Sequence, residues 1–148
     1  MFKELKTIAM IRPENVGEIS LIKNYLDEVI QAKDIVVFLD MENKKNYIDC
    51  SSDNLFYIND NFFDNFDALV SKLVKERQEC EDINLLPRLY IFIDESYEVR
   101  KDRKFWSRIL WLLEYKERLN IELILISKDR EGLGSLYNTY ANTSIKIR

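Results

Sequence analysis

The 148-residue chain contains no histidine, and this absence removes several classes of active site at once. Histidine is the only side chain whose unperturbed pKa lies near neutral pH, and it is the commonest metal ligand. A Ser-His-Asp triad, a histidine general base and a histidine-ligated metal are therefore excluded. Glycine is also scarce: the chain has only Gly17, Gly132 and Gly134, so a glycine-rich phosphate cradle has few places to form.

The two cysteines and the absence of long apolar runs restrict the cellular setting. Cys50 and Cys80 show no metal-ligand spacing, and no signal peptide is present, so we expect free thiols in a reducing compartment. No apolar run approaches the length of a membrane span. The sequence therefore predicts a cytoplasmic chain without a transmembrane segment, which reaches a membrane only through a partner.

Short apolar runs alternate with helical patterns along the chain. We expect these runs to be buried strands, because they show no polar alternation. The four central strands are predicted at Thr7–Ile11, Ile35–Leu39, Leu89–Ile93 and Leu123–Ile126. Shorter strands are predicted at Leu55–Ile58 and Ser144–Ile147.

Apolar residues at helical spacing predict three main helices between the strands. They cover Ile19 to Ala32, Phe62 to Gln78 and Trp106 to Leu119, with a further short helix at Ser135–Asn142. The polar side chains of Asn59 to Asn61 are expected to cap the second helix, and Asn120 is expected to end the third. The charged segment 96–103 is predicted to be a loop. Alternating strands and helices indicate an α/β fold with a mostly parallel sheet and helices on both faces.

The stretch Leu85–Glu95 carries the strongest functional pattern. After Pro87, the apolar run Leu89–Ile93 ends abruptly in Asp94-Glu95, and Asp40 ends an earlier apolar run in the same way. Open α/β sheets bind ligands at the carboxyl ends of their strands. These carboxylates are therefore candidates for a ligand or cation site, although they are equally compatible with simple strand ends.

At these residues the chain resembles the motor domains of the FtsK/SpoIIIE type. Leu86–Glu95 looks like their Walker B strand, in which a Pro-Arg pair leads a hydrophobic strand into Asp-Glu. Ile121–Ser127 is similar to the strand that follows, and Tyr137–Arg148 is similar to their closing segment. Asp40 matches the acidic residue that ends their second strand. The degenerate motor domains of type VII secretion ATPases are similar as well.

The resemblance implies a three-layer α/β sandwich with a RecA-like P-loop sheet, and one degenerate ATPase domain covering residues 1–148. It implies that the strand beginning near Leu123 lies between the first strand and the strand ending at Asp94. Asp94 and Glu95 become the Walker B-like catalytic pair, and Asp94 becomes the magnesium ligand. The family usually has a glutamine sensor where this chain has Ser127 and Lys128. Further matched positions are Asp40 and Arg148.

The chain departs from the family at the phosphate loop, whose motif is G-x-x-x-x-G-K-[ST]. Aligning Gly17 with the second glycine puts Arg12 at the first glycine. Glu18 then stands in place of the lysine and Ile19 in place of the Ser/Thr. A shift of one residue brings Ser20 to the hydroxyl position but leaves an isoleucine for the lysine. The degenerate phosphate-loop positions are therefore Arg12, Asn15, Gly17, Glu18, Ile19 and Ser20.

Three functions remain open from these residues. The first is a non-catalytic or weakly nucleotide-binding module that acts as a scaffold or regulator in a DNA-transfer or protein-secretion motor, with no tight cofactor. The second is an active Mg-ATP-dependent ATPase or DNA translocase with a non-standard phosphate loop, for which Lys23 or a neighbouring chain supplies the lysine. The third is a metal-dependent phosphoryl enzyme that uses Asp40, Asp94 and Glu95.

Partners are expected on two grounds. The resemblance implies self-association or docking on larger motor or secretion subunits, and the helix near Trp106 carries more aromatic residues than one buried face needs. These are Phe105, Trp106, Trp111 and Tyr115.

The net charge of −4 does not steer the whole chain toward nucleic acid. A local basic cluster offers a DNA contact all the same, and it comprises Arg100, Lys101, Arg103 and Lys104.

Overall fold

The computed structural model describes residues 7–11, 16–41, 53–94, 96–127 and 143–146, with side chains for 23–41, 53–94 and 98–126. Strands and helices alternate along these residues, and a single 3₁₀ turn at Ile83–Leu85 precedes the fourth strand. The strands are β1 (Thr7–Ile11), β2 (Ile35–Asp40), β3 (Leu55–Ile58), β4 (Leu89–Asp94), β5 (Ile121–Ser127) and β6 (Thr143–Lys146). The helices are α1 (Val16–Gln31), α2 (Phe62–Glu79), α3 (Ser96–Lys101) and α4 (Arg103–Leu119).

The described strands form one sheet in the order β3-β2-β4-β5-β1-β6. Every neighbouring pair is parallel, so the predicted parallel sheet is confirmed. The prediction that the strand beginning near Leu123 lies between the first strand and the strand ending at Asp94 is also confirmed, because β5 separates β1 from β4. All the carboxyl ends therefore meet at one edge of the sheet.

The pleat of the central strands divides the core into two layers. Side chains alternate across a strand, so even-numbered residues of β2 and β4 face one helix layer and odd-numbered residues face the other. The even-numbered face packs against α1, and its buried residues include Tyr25, Leu26, Val29, Val36, Phe38, Tyr90, Phe92, Ile124 and Ile126. The odd-numbered face packs against α2 and α4, with buried residues such as Val37, Leu39, Phe66, Val70, Ile91, Ile93, Phe105, Ile109 and Leu123. We call these the α1 face and the α2/α4 face.

The loop predicted at 96–103 is wrong, because Ser96–Lys101 forms the helix α3. Val99 is the reason: this residue, the only aliphatic one in the segment, is fully buried and anchors the short helix to the core. Asp102 then ends the turn and begins α4, since its side chain accepts a hydrogen bond of 3.1 Å from the Phe105 amide. A single apolar residue gives no periodic pattern, so the sequence does not reveal this helix.

Helix ends account for the other differences. α1 begins at Val16, three residues before the predicted start. Asn120 adopts the left-handed conformation after α4, as the sequence predicts. Asn61 precedes α2, but its side chain makes no capping hydrogen bond, so the predicted amide cap is wrong at this position. The predicted helix Ser135–Asn142 lies outside the described residues.

Tyr25 on α1 is fully buried against the aromatic residues of β4. Its ring meets those of Tyr90 and Phe92 edge-on, with ring centres 6.1 and 5.3 Å away. Burial raises the pKa of the Tyr25 phenol above its ordinary value, and the nearby Tyr90 and Glu122 raise the pKa further. The folded state therefore holds this proton at a pH where the unfolded state loses it.

We expect this difference to weaken the fold in alkali. The stabilising contribution is complete below the ordinary tyrosine pKa of about 10 and is lost as the pH rises toward the higher folded-state value. Urea unfolding should give a free energy that falls more steeply above about pH 10 in the wild type than in Tyr25→Phe. Tyr115→Phe, on the other face, is the control and should retain the wild-type slope. Equal slopes for all three proteins would contradict the prediction.

Candidate functional site

Two buried carboxylates lie side by side at the carboxyl edge of the sheet. Asp40 ends β2 and Asp94 ends β4, and the parallel register places these two residues directly opposite each other. Both are fully buried. Asp and Glu are almost never fully buried without compensating contacts, so this pair is a candidate functional site. The sequence predicted both positions, and the structure adds that they are neighbours.

Both carboxylates belong to the α1 face. They continue the even-numbered series of β2 and β4, in which Phe38 and Phe92 stack with ring centres 5.6 Å apart. Tyr57 of β3 stacks on Phe38 at 6.0 Å, and its hydroxyl donates a hydrogen bond to Asp40 Oδ2. The three stacked aromatic rings therefore pack next to the carboxylates on the same face of the sheet, and Tyr57 orients Asp40.

Sequence reasoning missed Tyr57. The predicted strand Leu55–Ile58 contained it, but nothing in the sequence showed that this strand pairs with β2. The register places Tyr57 opposite Phe38, two residues before Asp40 at the end of β2. The sequence shows only a tyrosine near the end of a short predicted strand. That Tyr57 can contact Asp40 follows only from the strand order.

The start of α1 reaches the same edge of the sheet. β1 ends at Ile11 and α1 begins at Val16, so Gly17, Glu18, Ile19 and Ser20 all lie in the first two turns of the helix. A phosphate loop has this arrangement, in which a strand and a loop lead into a helix that begins near the Gly-Lys-Ser/Thr residues. Arg12 and Asn15 lie outside the described residues.

Ser127 is the other predicted site residue that the structure brings to this edge. It ends β5 and is paired in register with Ile11 at the end of β1. Because β5 lies between β1 and β4, the backbone of Ser127 is placed between the start of α1 and Asp94. Glu95, Lys128 and Arg148 lie outside the described residues, so their predicted roles stay predictions.

The carboxylate pair offers oxygen ligands of the kind that divalent cations prefer. Within the described residues, no group of three or more Asp, Glu, Cys or His side chains is arranged to hold a metal ion. Asp94 as a magnesium ligand therefore stays a prediction.

The basic cluster lies on the surface near the start of α4, and three of the four aromatic residues of that helix are partly exposed, whereas Phe105 is buried in the core. Arg100, Lys101, Arg103 and Lys104 are all exposed, and Lys101 Nζ lies 3.3 Å from Glu98 Oε1. Trp106 and Trp111 are partly buried against the core, so neither is enclosed within one chain. The prediction of a partner on this helix therefore stays open.

A cavity of about 820 Å³ lies at the opposite end of the sheet. Its lining includes Lys33, Asn54 and Pro87, which precede β2, β3 and β4, and it includes neither carboxylate. Open α/β sheets bind ligands at their carboxyl ends, so we assign the candidate site to Asp40 and Asp94.

None of the helices in the described part of the chain has the length and apolar character that a membrane span requires.

No protein-family model matches the chain, and no curated protein matches it by sequence. Solved structures do match. The pCW3 conjugation coupling protein TcpA, in its monomer form with ATPγS, shares 15% identity at a TM-score of 0.72 over 99% of this chain and 50% of TcpA. EccC of Thermomonospora curvata (ATPases 2 and 3, with a signal sequence peptide) shares 13% identity at a TM-score of 0.70, over 94% of this chain and 28% of EccC.

A viral protein matches over more of its own length. B204, the DNA-packaging ATPase of Sulfolobus Turreted Icosahedral Virus, shares 19% identity at a TM-score of 0.67, over 96% of this chain and 75% of B204. The chain spans half of TcpA and less than a third of EccC. At these identities the likeness shows the fold alone, and it confirms the predicted RecA-like α/β fold that the resemblance to FtsK/SpoIIIE-type domains implied.

The adjacent carboxylates lead to a stability prediction. Two like charges in register at a buried edge repel each other, so neutralising one of them in Asp94→Asn should stabilise the fold. We expect a gain of about 1 kcal/mol, which raises the thermal midpoint by roughly 3 °C for a chain of this size. Calorimetry at neutral pH with a chelator present measures the gain. The exposed Asp27→Asn is the control, and an unchanged or lowered midpoint for Asp94→Asn would contradict the prediction.

Proposed function

We propose that this chain is a non-catalytic or weakly nucleotide-binding module of the FtsK/SpoIIIE type, acting as a scaffold or regulator in a DNA-transfer or protein-secretion motor. The observation that supports this is the start of α1. The helix begins where a phosphate loop would end, but its second, third and fourth residues are Gly17, Glu18 and Ile19. In this proposal the carboxyl edge of the fold is present without the groups that hold phosphate.

The lysine of a phosphate loop contacts the β- and γ-phosphates, and the Ser/Thr hydroxyl binds magnesium. Glu18 reverses the charge at the first of these positions, and Ile19 has no oxygen for the second. Two unit charges about 4 Å apart interact by roughly 4 kcal/mol at an effective dielectric constant of 20. Replacing that attraction by repulsion costs enough to turn micromolar binding into binding too weak to measure.

An acidic residue is favourable at this place in a helix that holds no phosphate. The first turn of a helix has unsatisfied N–H groups and the positive end of the helix dipole. Phosphate-binding helices use these features for their ligand. Glu18, the third residue of α1, supplies a negative charge from the chain itself.

Asp40 and Asp94 do not compensate for the altered loop. They add negative charge at the same edge, and such carboxylates reach a nucleotide only through a metal ion. In a non-catalytic module they persist as buried residues of the carboxyl edge. The scaffold role then depends on surfaces rather than on chemistry, and the exposed Arg103 and Lys104 are candidates for contact with DNA or with another subunit.

The alternative is an active ATPase with a non-standard phosphate loop. The observation in its favour is the carboxyl edge: Asp94 ends β4, the strand that resembles Walker B, and the sheet has the predicted strand order. Lys23 is the eighth residue of α1, two helical turns from the start of the helix, so a lysine supplied by a neighbouring chain fits this alternative better.

Titration calorimetry with Mg-ATP at high protein concentration separates the two functions. We expect no measurable binding heat and no appreciable phosphate release, because both the lysine and the metal-binding hydroxyl are missing. Micromolar affinity that Asp94→Ala abolishes and Asp27→Ala retains would show an active site and contradict the proposal.

A gain-of-function change tests the assignment of the loop itself. In Glu18→Lys with Ile19→Thr, the charge and the hydroxyl return to their positions at the start of α1. We expect this double variant to bind Mg-ATP weakly, with Glu28→Lys and Ile30→Thr, later in the same helix, as the matched control. No gain would show that residues 12–15 no longer follow the path of a phosphate loop.

A further inference from the structure

Helices α2 and α4 lie side by side on one face and point in the same direction. Each connects two parallel strands, α2 between β3 and β4 and α4 between β4 and β5, so both return from the carboxyl edge to the amino edge. Asp67 is the sixth residue of α2, and Arg108 is the sixth residue of α4. Their side chains form an ion pair of 3.4 Å, which shows that the two helices start level with each other.

The two helices carry opposite charges over this shared first half. Asp60 precedes α2, and Asp64 and Asp67 follow within its first two turns. Arg103, Lys104 and Arg108 occupy the same part of α4. Asp60, Asp64, Arg103 and Lys104 are exposed, while Asp67 and Arg108 are partly exposed. The surface is therefore divided lengthwise into an acidic column on α2 and a basic column on α4.

A pair of aromatic residues continues the basic column toward the amino edge. Trp111 and Tyr115 are partly exposed, with ring centres 4.8 Å apart, and the Arg108 guanidinium lies 5.4 Å from the Trp111 ring. Lys104, Arg108, Trp111 and Tyr115 recur at a spacing of four, three and four residues, which places them on one side of α4. Arginine, tryptophan and tyrosine are the residue types that dominate binding energy at protein interfaces.

We propose that this surface, the α2/α4 seam, binds a second copy of the chain around a two-fold axis parallel to the helices. Such an axis lays α2 of one protomer over α4 of the other, with both helices still pointing the same way. The acidic column of each protomer then meets the basic column of its partner. Because the operation is reciprocal, one seam supplies both halves of a self-complementary interface.

Charge favours a second copy over nucleic acid as the occupant. A polyanion attracted by Arg103 and Lys104 would also meet Asp64 on the adjacent helix, and like charges in contact are unfavourable. A second copy satisfies both columns at once. This association needs no nucleotide, so it stands or falls independently of the function proposed above.

Sedimentation velocity over a range of protein concentrations tests the proposal on the full chain. At about 50 mM salt, where screening is weak, we expect a monomer–dimer equilibrium that shifts toward monomer as the salt concentration rises. Arg103→Glu with Lys104→Glu should weaken dimerisation at least about tenfold, and Asp60→Lys with Asp64→Lys should do the same. An equimolar mixture of these two variants should restore association, because each reversed column then meets a complementary one.

Matched controls change the charge elsewhere. Asp27→Lys lies on α1, on the opposite face of the sheet, and Lys72→Glu lies on the side of α2 turned away from α4; both should retain the wild-type equilibrium. A wild-type chain that stays monomeric at every concentration would overturn the proposal, as would a mixture that does not reassociate. Duplex DNA binding that is lost in Arg103→Glu with Lys104→Glu, in a chain that remains monomeric, would assign the basic column to nucleic acid instead.

Discussion

The parallel pairing of β2 with β4 is the constraint on which the rest of the structure depends. Every residue of β4 is buried, and so are the last five of β2. Neither strand therefore has a solvent-facing side on which a shifted register could be tolerated. A slip of one residue would exchange the contents of the two helix layers. The same register that fixes the core also sets Asp40 beside Asp94, so the site is a consequence of core packing.

The carboxyl edge of the sheet and the start of α1 point to different functions. The edge retains buried carboxylates, whose burial is unfavourable unless other interactions offset it. In the function proposed above, the start of α1 lacks the residues that make such an edge useful for phosphoryl transfer. A fold can keep its ligand-binding geometry after the chemistry has gone, because strand order and register are maintained by hydrophobic packing. This separation of fold from function is why the structural neighbours support a motor fold and leave the activity as a proposal.

The helix layer on the other face offers a different kind of specificity. The Asp67–Arg108 pair joins α2 to α4 on a partly exposed surface, where a single ion pair contributes little to stability. The arrangement of charges in two columns matters more than any one pair, because complementary patterns select a partner and an orientation. In the proposed dimer, this helix surface, rather than the carboxyl edge of the sheet, selects the partner.

The sequence alone determined the class of fold and most of its elements. Apolar runs such as Leu89–Ile93 and helical spacing such as that from Phe62 to Gln78 arise from the same burial that forms the strands and helices, so they can be read without coordinates. It also determined that Asp40 and Asp94 end two buried strands.

Only the tertiary structure decided which of these residues meet. Strand order and register bring Asp40 to Asp94 and Tyr57 to Asp40, although 17 residues separate Tyr57 from Asp40 along the chain. Burial of Val99 created a helix that local periodicity did not contain. Because α2 and α4 start at the same height, the acidic residues of α2 lie beside the basic residues of α4, although the two groups are far apart in the sequence. In each case the deciding interaction joins residues distant along the chain, and no local pattern records such a contact.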